Sequence, residues 1–294
     1  MLKKLGIIAV LLSVFAFMAC ELWFEIDDEG NIKITLFAEL ERDLGEEFAW
    51  IEEIPVQYVR SYEIKDGSTT IISSAHSGDS KTKADSASAS VNFKARLELD
   101  IEFYEARVFC NGVEVFTEIG DDKWINADIA LQPGENNYIV LIIYDKDTGE
   151  RKGRSELLRV KSTRSKALWQ FQLTWDRRAD LDLYIDDGEG GSKVYYGNPK
   201  YEVGDWHIEL DNDDQNYGPE SIVIYSLPQS DAALRCYVNY HTAYSSLSIP
   251  ATVTIFSNGQ IIDTKTHTFS EGDVYTESGY SLIRSWEVMK IIFN

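Results

Sequence analysis

Short runs of alternating apolar and polar residues recur along this chain, and they constrain its fold more than any other feature. The clearest is ADLDL at residues 179–183, which has the period of two that is typical of a strand with one buried face. Turn-forming pairs separate such runs, for example the Asn-Gly pair at 258–259. From residue 164 to the C-terminus no stretch sustains the period of an amphipathic helix. The sequence therefore predicts an all-β protein.

The first twenty residues have the pattern of an export signal. Lys3 and Lys4 precede an apolar stretch at residues 5–17, which is too short to span a bilayer comfortably. The stretch ends in Met-Ala-Cys20 and resembles a bacterial lipoprotein signal, in which Cys20 is lipidated and becomes the first mature residue. An ordinary secretory peptide cut nearby is the alternative. We therefore expect a lipid-anchored protein of the cell envelope, either periplasmic or surface-exposed, with the membrane as its partner through Cys20.

The charge of the chain excludes one broad class of function. It has 49 acidic and 28 basic residues and a formal net charge of −21. Nucleic-acid phosphates need Lys and Arg, so we expect no nucleic-acid partner. The same charge argues against adsorption to anionic lipid surfaces. Bound divalent cations would neutralise part of it.

The distribution of residue types predicts five segments. Residues 73–90 are rich in Ser, Ala, Lys and Asp and have almost no large apolar side chains, so their composition predicts a mobile linker or an exposed loop. Apolar spacing also suggests a short helix within 36–48. The predicted segments are a signal peptide (1–20), a small β-rich N-terminal segment (21–72), the linker (73–90), a first β-sandwich (91–163) and a second, jelly-roll-like β-sandwich (164–294).

Turn residues follow a recognisable order in the first predicted sandwich. The pieces are VFCNGVEV at 108–115, ALQPGEN at 130–136 and IIYD at 142–145. They resemble the immunoglobulin-like modules of bacterial surface proteins, with the pattern V-x-V-N-G-x-x-V and then L-x-x-G-x-N-x-I-x-V-x-A-x-D. The resemblance covers about seventy residues. It implies a spacer or adhesive unit without catalytic residues.

A second resemblance covers the C-terminal segment. Its pieces are LTWD at 173–176, ADLDL at 179–183, YYGN at 195–198, LD at 210–211 with DD at 213–214, YGPE at 217–220 and RCYVNY at 235–240. In order and spacing they resemble a bacterial domain family of unknown function, DUF2135 (the YfaP-like type). That family usually has a glycine pair before its LD segment, whereas here Gly204 is followed by Asp205 and Trp206. Since the family has no established activity, the resemblance implies a fold and no function.

Two groups of acidic residues in the C-terminal segment predict a cation site. In a strand, Asp180 and Asp182 point to the same side, where two like charges repel unless something positive lies between them. A second acidic group follows about thirty residues later, beside a Gly-Pro turn. Carboxylate oxygens from a strand and a loop suit Ca²⁺. The predicted ligands are Asp180, Asp182, Asp211 and Asp213, with Asp214 and Glu220. The alternative is that these carboxylates only accept hydrogen bonds from loop N–H groups.

Nothing in the sequence predicts an enzyme. The four histidines lack the spacing of a metalloprotease motif, and no G-x-S-x-G elbow occurs. The acidic residues are clustered rather than arranged as the carboxylate pair of a glycosidase. We therefore expect a non-catalytic binding or adhesion module stiffened by Ca²⁺, with a protein or glycan ligand. A carbohydrate-binding accessory domain and a structural spacer are the two alternatives. Aromatic residues that would serve a glycan platform are Tyr195, Tyr196, Tyr201, Trp206, Tyr217, Tyr237, Tyr240 and Tyr244.

Overall fold

The computed structural model describes residues 21–26, 32–37, 51, 53–57, 59–75, 83–99, 102–120, 122–186, 192–227, 232–244, 248–274 and 285–293. The chain forms two compact units, residues 1–53 and 54–294. In the first unit, β1 (Glu21–Ile26) and β2 (Ile32–Phe37) pair antiparallel, as the sequence predicts. The predicted signal peptide with Cys20, and the predicted helix beyond residue 37, lie outside the described residues. Within the described residues no helix is long and apolar enough to cross a bilayer.

The first sandwich of the second unit consists of two sheets that enclose one core. The five-stranded sheet has the order β4-β3-β6-β10-β9, and the other has the order β5-β13-β11-β7-β8, with β12 paired to β11. Apolar residues of both sheets, such as Phe93 and Leu141, are fully buried between them. The strands are β3 (Val59–Asp66), β4 (Thr69–Ala75), β5 (Lys83–Ser86), β6 (Ser90–Leu97), β7 (Tyr104–Cys110), β8 (Val113–Val115), β9 (Glu118–Ile119), β10 (Trp124–Ala130), β11 (Asn136–Asp145), β12 (Arg151–Arg154) and β13 (Leu158–Ser162).

This sandwich begins earlier in the chain than the sequence predicts. Strands β3 and β4, from the predicted N-terminal segment, join its five-stranded sheet and bury Ile64 and Ile72 in its core. Strand β5 lies inside the predicted linker 73–90 and pairs parallel with β13. Backbone hydrogen bonds hold β5 in place, together with a bond from the Ser86 hydroxyl to Asp66 at 2.8 Å. This pairing is made by backbone hydrogen bonds, so the side-chain composition of residues 73–90 does not indicate it.

The second sandwich also has two sheets around one core. Its six-stranded sheet has the order β17-β18-β19-β14-β21-β22, and its four-stranded sheet has the order β16-β15-β20-β23. Strand β17 lies at the edge of the six-stranded sheet. The strands are β14 (Trp169–Trp175), β15 (Ala179–Asp186), β16 (Ser192–Val194), β17 (Lys200–Val203), β18 (Trp206–Asn212), β19 (Glu220–Ser226), β20 (Ala232–Ala243), β21 (Ile249–Ser257), β22 (Gln260–Phe269) and β23 (Trp286–Phe293), with a 3₁₀ turn at Glu271–Asp273.

The predicted fold class, all-β with two sandwiches in tandem, is confirmed. The predicted Asn-Gly hairpin at 258–259 forms, with φ of 50° and 79°, and the Asn-Gly turn at 111–112 also joins two paired strands, with φ of 50° and 83°. A two-residue turn with positive φ at both residues has a backbone twist that matches the twist of the two strands, so it joins them without splaying them. Cys110 lies in the core of the first sandwich and Cys236 in that of the second, so no disulfide joins them.

Candidate metal centre

Strand β15 carries two of the predicted ligands in an unusually buried setting. Leu181 and Leu183 point into the core and are fully buried, as the alternation predicts. Asp180 and Asp182 point to the opposite side, yet they are only 9% and 4% exposed. Two carboxylates on a strand are ordinarily solvated, and burying an ionised one is costly unless it is paired. These two acids therefore require a structural or a chemical explanation.

The loop between β18 and β19, which we call the ligand loop (residues 213–219), lies beside the first half of β15. On that side β16 pairs only with Ile185 and Asp186, so the earlier N–H groups of β15 need other acceptors. Ala179 donates its N–H to the Asn216 carbonyl at 2.8 Å. Leu183 donates its N–H to Glu220 Oε2 at 3.0 Å, and the Glu220 side chain is fully buried. These bonds bring the loop acids next to the strand acids.

Three carboxylates converge at this junction. Asp182, Asp213 and Glu220 each offer an oxygen within 4.8 Å of the oxygens of the other two. Asp182 Oδ2 and Glu220 Oε1 are buried and have no hydrogen-bond partner. Two ligands on opposite sides of a Ca²⁺ ion lie about 4.8 Å apart, because each Ca–O distance is about 2.4 Å. The three oxygens are therefore spaced as ligands of one such ion would be.

The electrostatics of the cluster are unfavourable without a cation. Among the described residues, no Lys or Arg forms an ion pair with Asp182, Asp213 or Glu220. Burial, reinforced by Asp180 and Asp213, raises the pKa of Asp182 to about 8. Burial and the neighbouring Asp182 raise the pKa of Glu220 well above its usual range. Partial burial, with Asp180 and Asp214 nearby, also raises the pKa of Asp213.

Asp180 has a partner of its own. The register between β15 and β20 pairs Asp180 with Thr242 and Leu181 with Tyr240, so His241 is the extra residue of a β-bulge. Its Nδ1 atom lies 3.1 Å from Asp180 Oδ2. Burial raises the pKa of Asp180, and the contact with His241 opposes that rise. Asp180 therefore lies at the border of the cluster, linked to a group that faces solvent.

Two of the predicted ligands have other roles. Asp211 forms a two-pronged pair with Arg164, whose Nη1 donates to Oδ2 at 2.6 Å, and its side chain is only 4% exposed. Burial raises the pKa of Asp211, and the guanidinium opposes that rise. Asp214 Oδ1 accepts N–H bonds from residues 216, 217 and 218 at 2.7, 2.9 and 3.2 Å. Asp214 thus shapes the loop in the way that the hydrogen-bonding alternative describes, and neither residue belongs to the group of three converging carboxylates.

Asn239 is a residue that sequence analysis missed. It lies directly opposite Asp182 in the β15–β20 register and is 5% exposed. Side chains of directly paired residues have Cβ atoms about 5 Å apart. Its Oδ1 atom is buried and has no hydrogen-bond partner, which makes it a further neutral oxygen donor beside the cluster. Its position in a strand-like run was visible in the sequence, but its pairing with Asp182 was not.

A second group of titratable side chains lies on the edge strands β17 and β18. Glu202, His207 and Glu209 have ligand atoms within 4.8 Å of one another. Lys200 Nζ already lies 3.0 Å from Glu202 and 2.8 Å from Glu209, and His207 Nε2 lies 3.0 Å from Glu209. The positive charge of Lys200 offsets part of the charge of the two carboxylates, and we interpret this group as a surface ion-pair network.

The aromatic residues mostly serve packing. Tyr237 and Tyr240 are 1% and 0% exposed, whereas Tyr196 and Tyr244 are 48% and 46% exposed. The other four residues of the predicted platform, Tyr195, Tyr201, Trp206 and Tyr217, are partly buried. Two exposed rings out of eight do not provide the flat strip that would favour a glycan ligand over a metal site.

The raised pKa values predict an unusual response to pH. In calcium-free buffer, the free energy of unfolding is expected to increase as the pH falls from 9 to 5. The folded state keeps a proton on Asp182 up to a pKa of about 8, whereas the unfolded chain releases it near the ordinary value of 3.8. Urea unfolding in EDTA at several pH values measures this trend. A free energy of unfolding that stays constant or falls over that range would contradict it.

Comparison with known proteins identifies no related family or protein. No protein-family model matches this chain, and no curated protein is significantly similar to it.

Proposed function

We propose that the second sandwich binds a divalent cation through Asp182, Asp213 and Glu220. The observation that carries the proposal is the convergence of three carboxylates, two of which, Asp182 and Glu220, each have a buried oxygen without a hydrogen-bond partner. A bound cation would compensate the negative charges that otherwise raise one another's pKa. It would also supply a partner for both unpartnered atoms, which no other described group does.

Calcium is the cation that this donor set favours. The converging atoms are all carboxylate oxygens, and a neutral amide oxygen of Asn239 lies beside them. Hard oxygen donors suit Ca²⁺ and Mg²⁺, whereas zinc sites are typically built from Cys and His. Calcium also accepts irregular coordination with waters, which Asp213 permits because its side chain is exposed to solvent.

The proposed role of the whole protein follows from the sequence and this site. We propose a non-catalytic envelope module, tethered by lipid on Cys20, in which calcium stiffens the sandwich that presents a binding surface. The acidic composition and the proposed signal at residues 1–20 support this role. The ligand of that surface would be a protein. A carbohydrate ligand has less support, because most of the aromatic side chains are used in packing.

Thermal unfolding of the full chain in EDTA and in millimolar calcium tests the site. Calcium at a hundred times its Kd would stabilise the folded state by about 2.7 kcal/mol. For a domain of this size that corresponds to a rise of roughly 5–10 °C in Tm. Equal concentrations of magnesium should give a smaller rise. A Tm that is the same in EDTA and in calcium would overturn the proposal.

A further inference from the structure

One aromatic contact joins the two sandwiches next to the candidate metal centre. The rings of Phe116 and Tyr217 are stacked, with centroids 4.1 Å apart and planes 5° from parallel. Phe116 directly follows β8 in the first sandwich, whereas Tyr217 lies in the ligand loop of the second. Stacked aromatic pairs stabilise a contact beyond the area that they bury. We call this pair of residues the latch.

The position of Tyr217 depends on the same loop that supplies the acids. The Asn216 carbonyl accepts hydrogen bonds from the Trp175 indole at 3.2 Å and from the Ala179 amide at 2.8 Å. Gly218 has φ +71°, and a Cβ there would lie 2.8 Å from the Trp175 ring. The backbone on both sides of Tyr217 is therefore packed closely against the second sandwich. A displacement of the loop would displace its ring.

The ends of this loop carry the converging carboxylates. Asp213 lies four residues before Tyr217, and Glu220 lies three residues after it. Glu220 is fixed by burial and by its bond to Leu183, whereas Asp213 is exposed. Among the described residues, no hydrogen bond or ion pair ties the Asp213 side chain to the strand, so without a cation its position near Glu220 is not fixed. A cation among the three would hold Asp213 near Glu220 and so hold the loop.

The two sandwiches also meet at a second place, on the side of the chain that connects them. There Gln170 donates its Nε2–H to the Leu131 carbonyl at 3.3 Å, and Lys166 Nζ lies 2.8 Å from Glu135. A groove of about 420 Å³ separates the sandwiches beside the latch. Its lining includes Glu105, Arg107, Phe116, Trp175, Asp176 and Pro250. The covalent connection and its neighbouring contacts would act as a hinge, with the latch closing the other end of the groove.

We propose that a cation bound by Asp182, Asp213 and Glu220 controls the junction between the two sandwiches through the Phe116–Tyr217 latch. This inference rests on the proposed cation site. With the cation bound, Tyr217 is held against Phe116, and the separation of the two sandwiches across the groove is fixed. Without it, the loop releases the latch, and the sandwiches pivot at the hinge. Calcium would then set the geometry of a two-domain surface as well as the stability of one domain.

Distance measurements between spin labels test the latch. Labels are attached at Thr148→Cys, in the exposed turn after β11, and at Thr264→Cys, on the exposed face of β22. The full chain carries Cys20→Ser so that the introduced sites are labelled, since Cys110 and Cys236 are buried. The parent protein should give a narrow distance distribution in calcium and a broad one in EDTA. Calorimetry on the same samples measures calcium binding.

Two variants of Tyr217 separate the latch from the cation site. Tyr217→Phe keeps the ring and should retain the narrow distribution in calcium. Tyr217→Leu should bind calcium as the parent does, yet give a broad distribution in both conditions. Calcium binding without any change in the parent distribution would overturn the latch and leave the cation site in place. A narrow distribution for Tyr217→Leu would also overturn the latch, whereas a lack of calcium binding by the parent would overturn both proposals.

Discussion

Replacing Asp182 with asparagine is expected to stabilise the calcium-free protein and to remove its response to calcium. Asp182 is 4% exposed, and burial with neighbouring carboxylates raises its pKa to about 8. At pH 8 to 9 the folded state therefore bears the cost of a buried charge that asparagine lacks, on the order of a few kcal/mol. Urea unfolding of the full chain in EDTA measures this gain. In millimolar calcium, the variant should unfold as it does in EDTA.

The matched control for this variant is Asp211→Asn. It makes the same chemical change at another buried acid that the sequence predicts as a ligand, but Asp211 is paired with Arg164. Asp211→Asn should lower stability in both buffers and keep the full increase in Tm that calcium produces. If Asp182→Asn lowered stability in EDTA, or kept the calcium response, the assignment of Asp182 as a ligand would be wrong.

Replacing Arg164 with methionine is expected to cost about 3–5 kcal/mol of stability. Arg164 is the cation that compensates Asp211, whose side chain is 4% exposed. Its Nη2 also donates to the Tyr225 hydroxyl at 2.7 Å. Removing the guanidinium leaves a buried carboxylate without its counter-charge, which costs more than the pair contributes. Chemical denaturation of the full chain, with and without calcium, measures the loss, which should be the same in both.

A double variant tests the reason for that loss. Arg164→Met combined with Asp211→Leu removes both charges, so the penalty for an unpaired buried carboxylate disappears. The double variant should be more stable than Arg164→Met alone, and a double-mutant cycle gives the coupling between the two positions. A loss below about 1 kcal/mol for Arg164→Met, which is typical of an exposed ion pair, would contradict this account.

Much of the fold was predictable because local sequence carries its signals. The alternation at 179–183 identified β15 and the side chains that enter its core. The Asn-Gly pairs identified two hairpins, since few other residues adopt positive φ at both turn positions. Domain boundaries were less predictable. Strands β3 and β4 contribute Ile64 and Ile72 to the core, and β5 is short and polar, but the membership of all three in the first sandwich depends on pairing with strands that are distant in sequence.

The candidate site was predictable as a set of residue types and only in part as an arrangement. Six acids were predicted as ligands from their composition and from the strand alternation. Within that set, Asp211 and Asp213 are two residues apart and look equivalent in sequence. The structure gives Asp211 a guanidinium from a residue 47 positions away, whereas Asp213 lies with Asp182 and Glu220. An ion pair between residues that far apart in the sequence produces no pattern in the local sequence around either of them.

The sequence by itself determined that the chain is all-β, that Leu181 and Leu183 enter a core, and that acids gather near one strand. Only the tertiary structure decided which of those acids meet, that Asn239 lies opposite Asp182, and that Tyr217 contacts Phe116. The physical reason is the sequence separation over which each kind of interaction acts. Alternation and turn chemistry act over a few neighbouring residues, whereas strand register and sheet packing bring together residues that lie 30 to 100 positions apart.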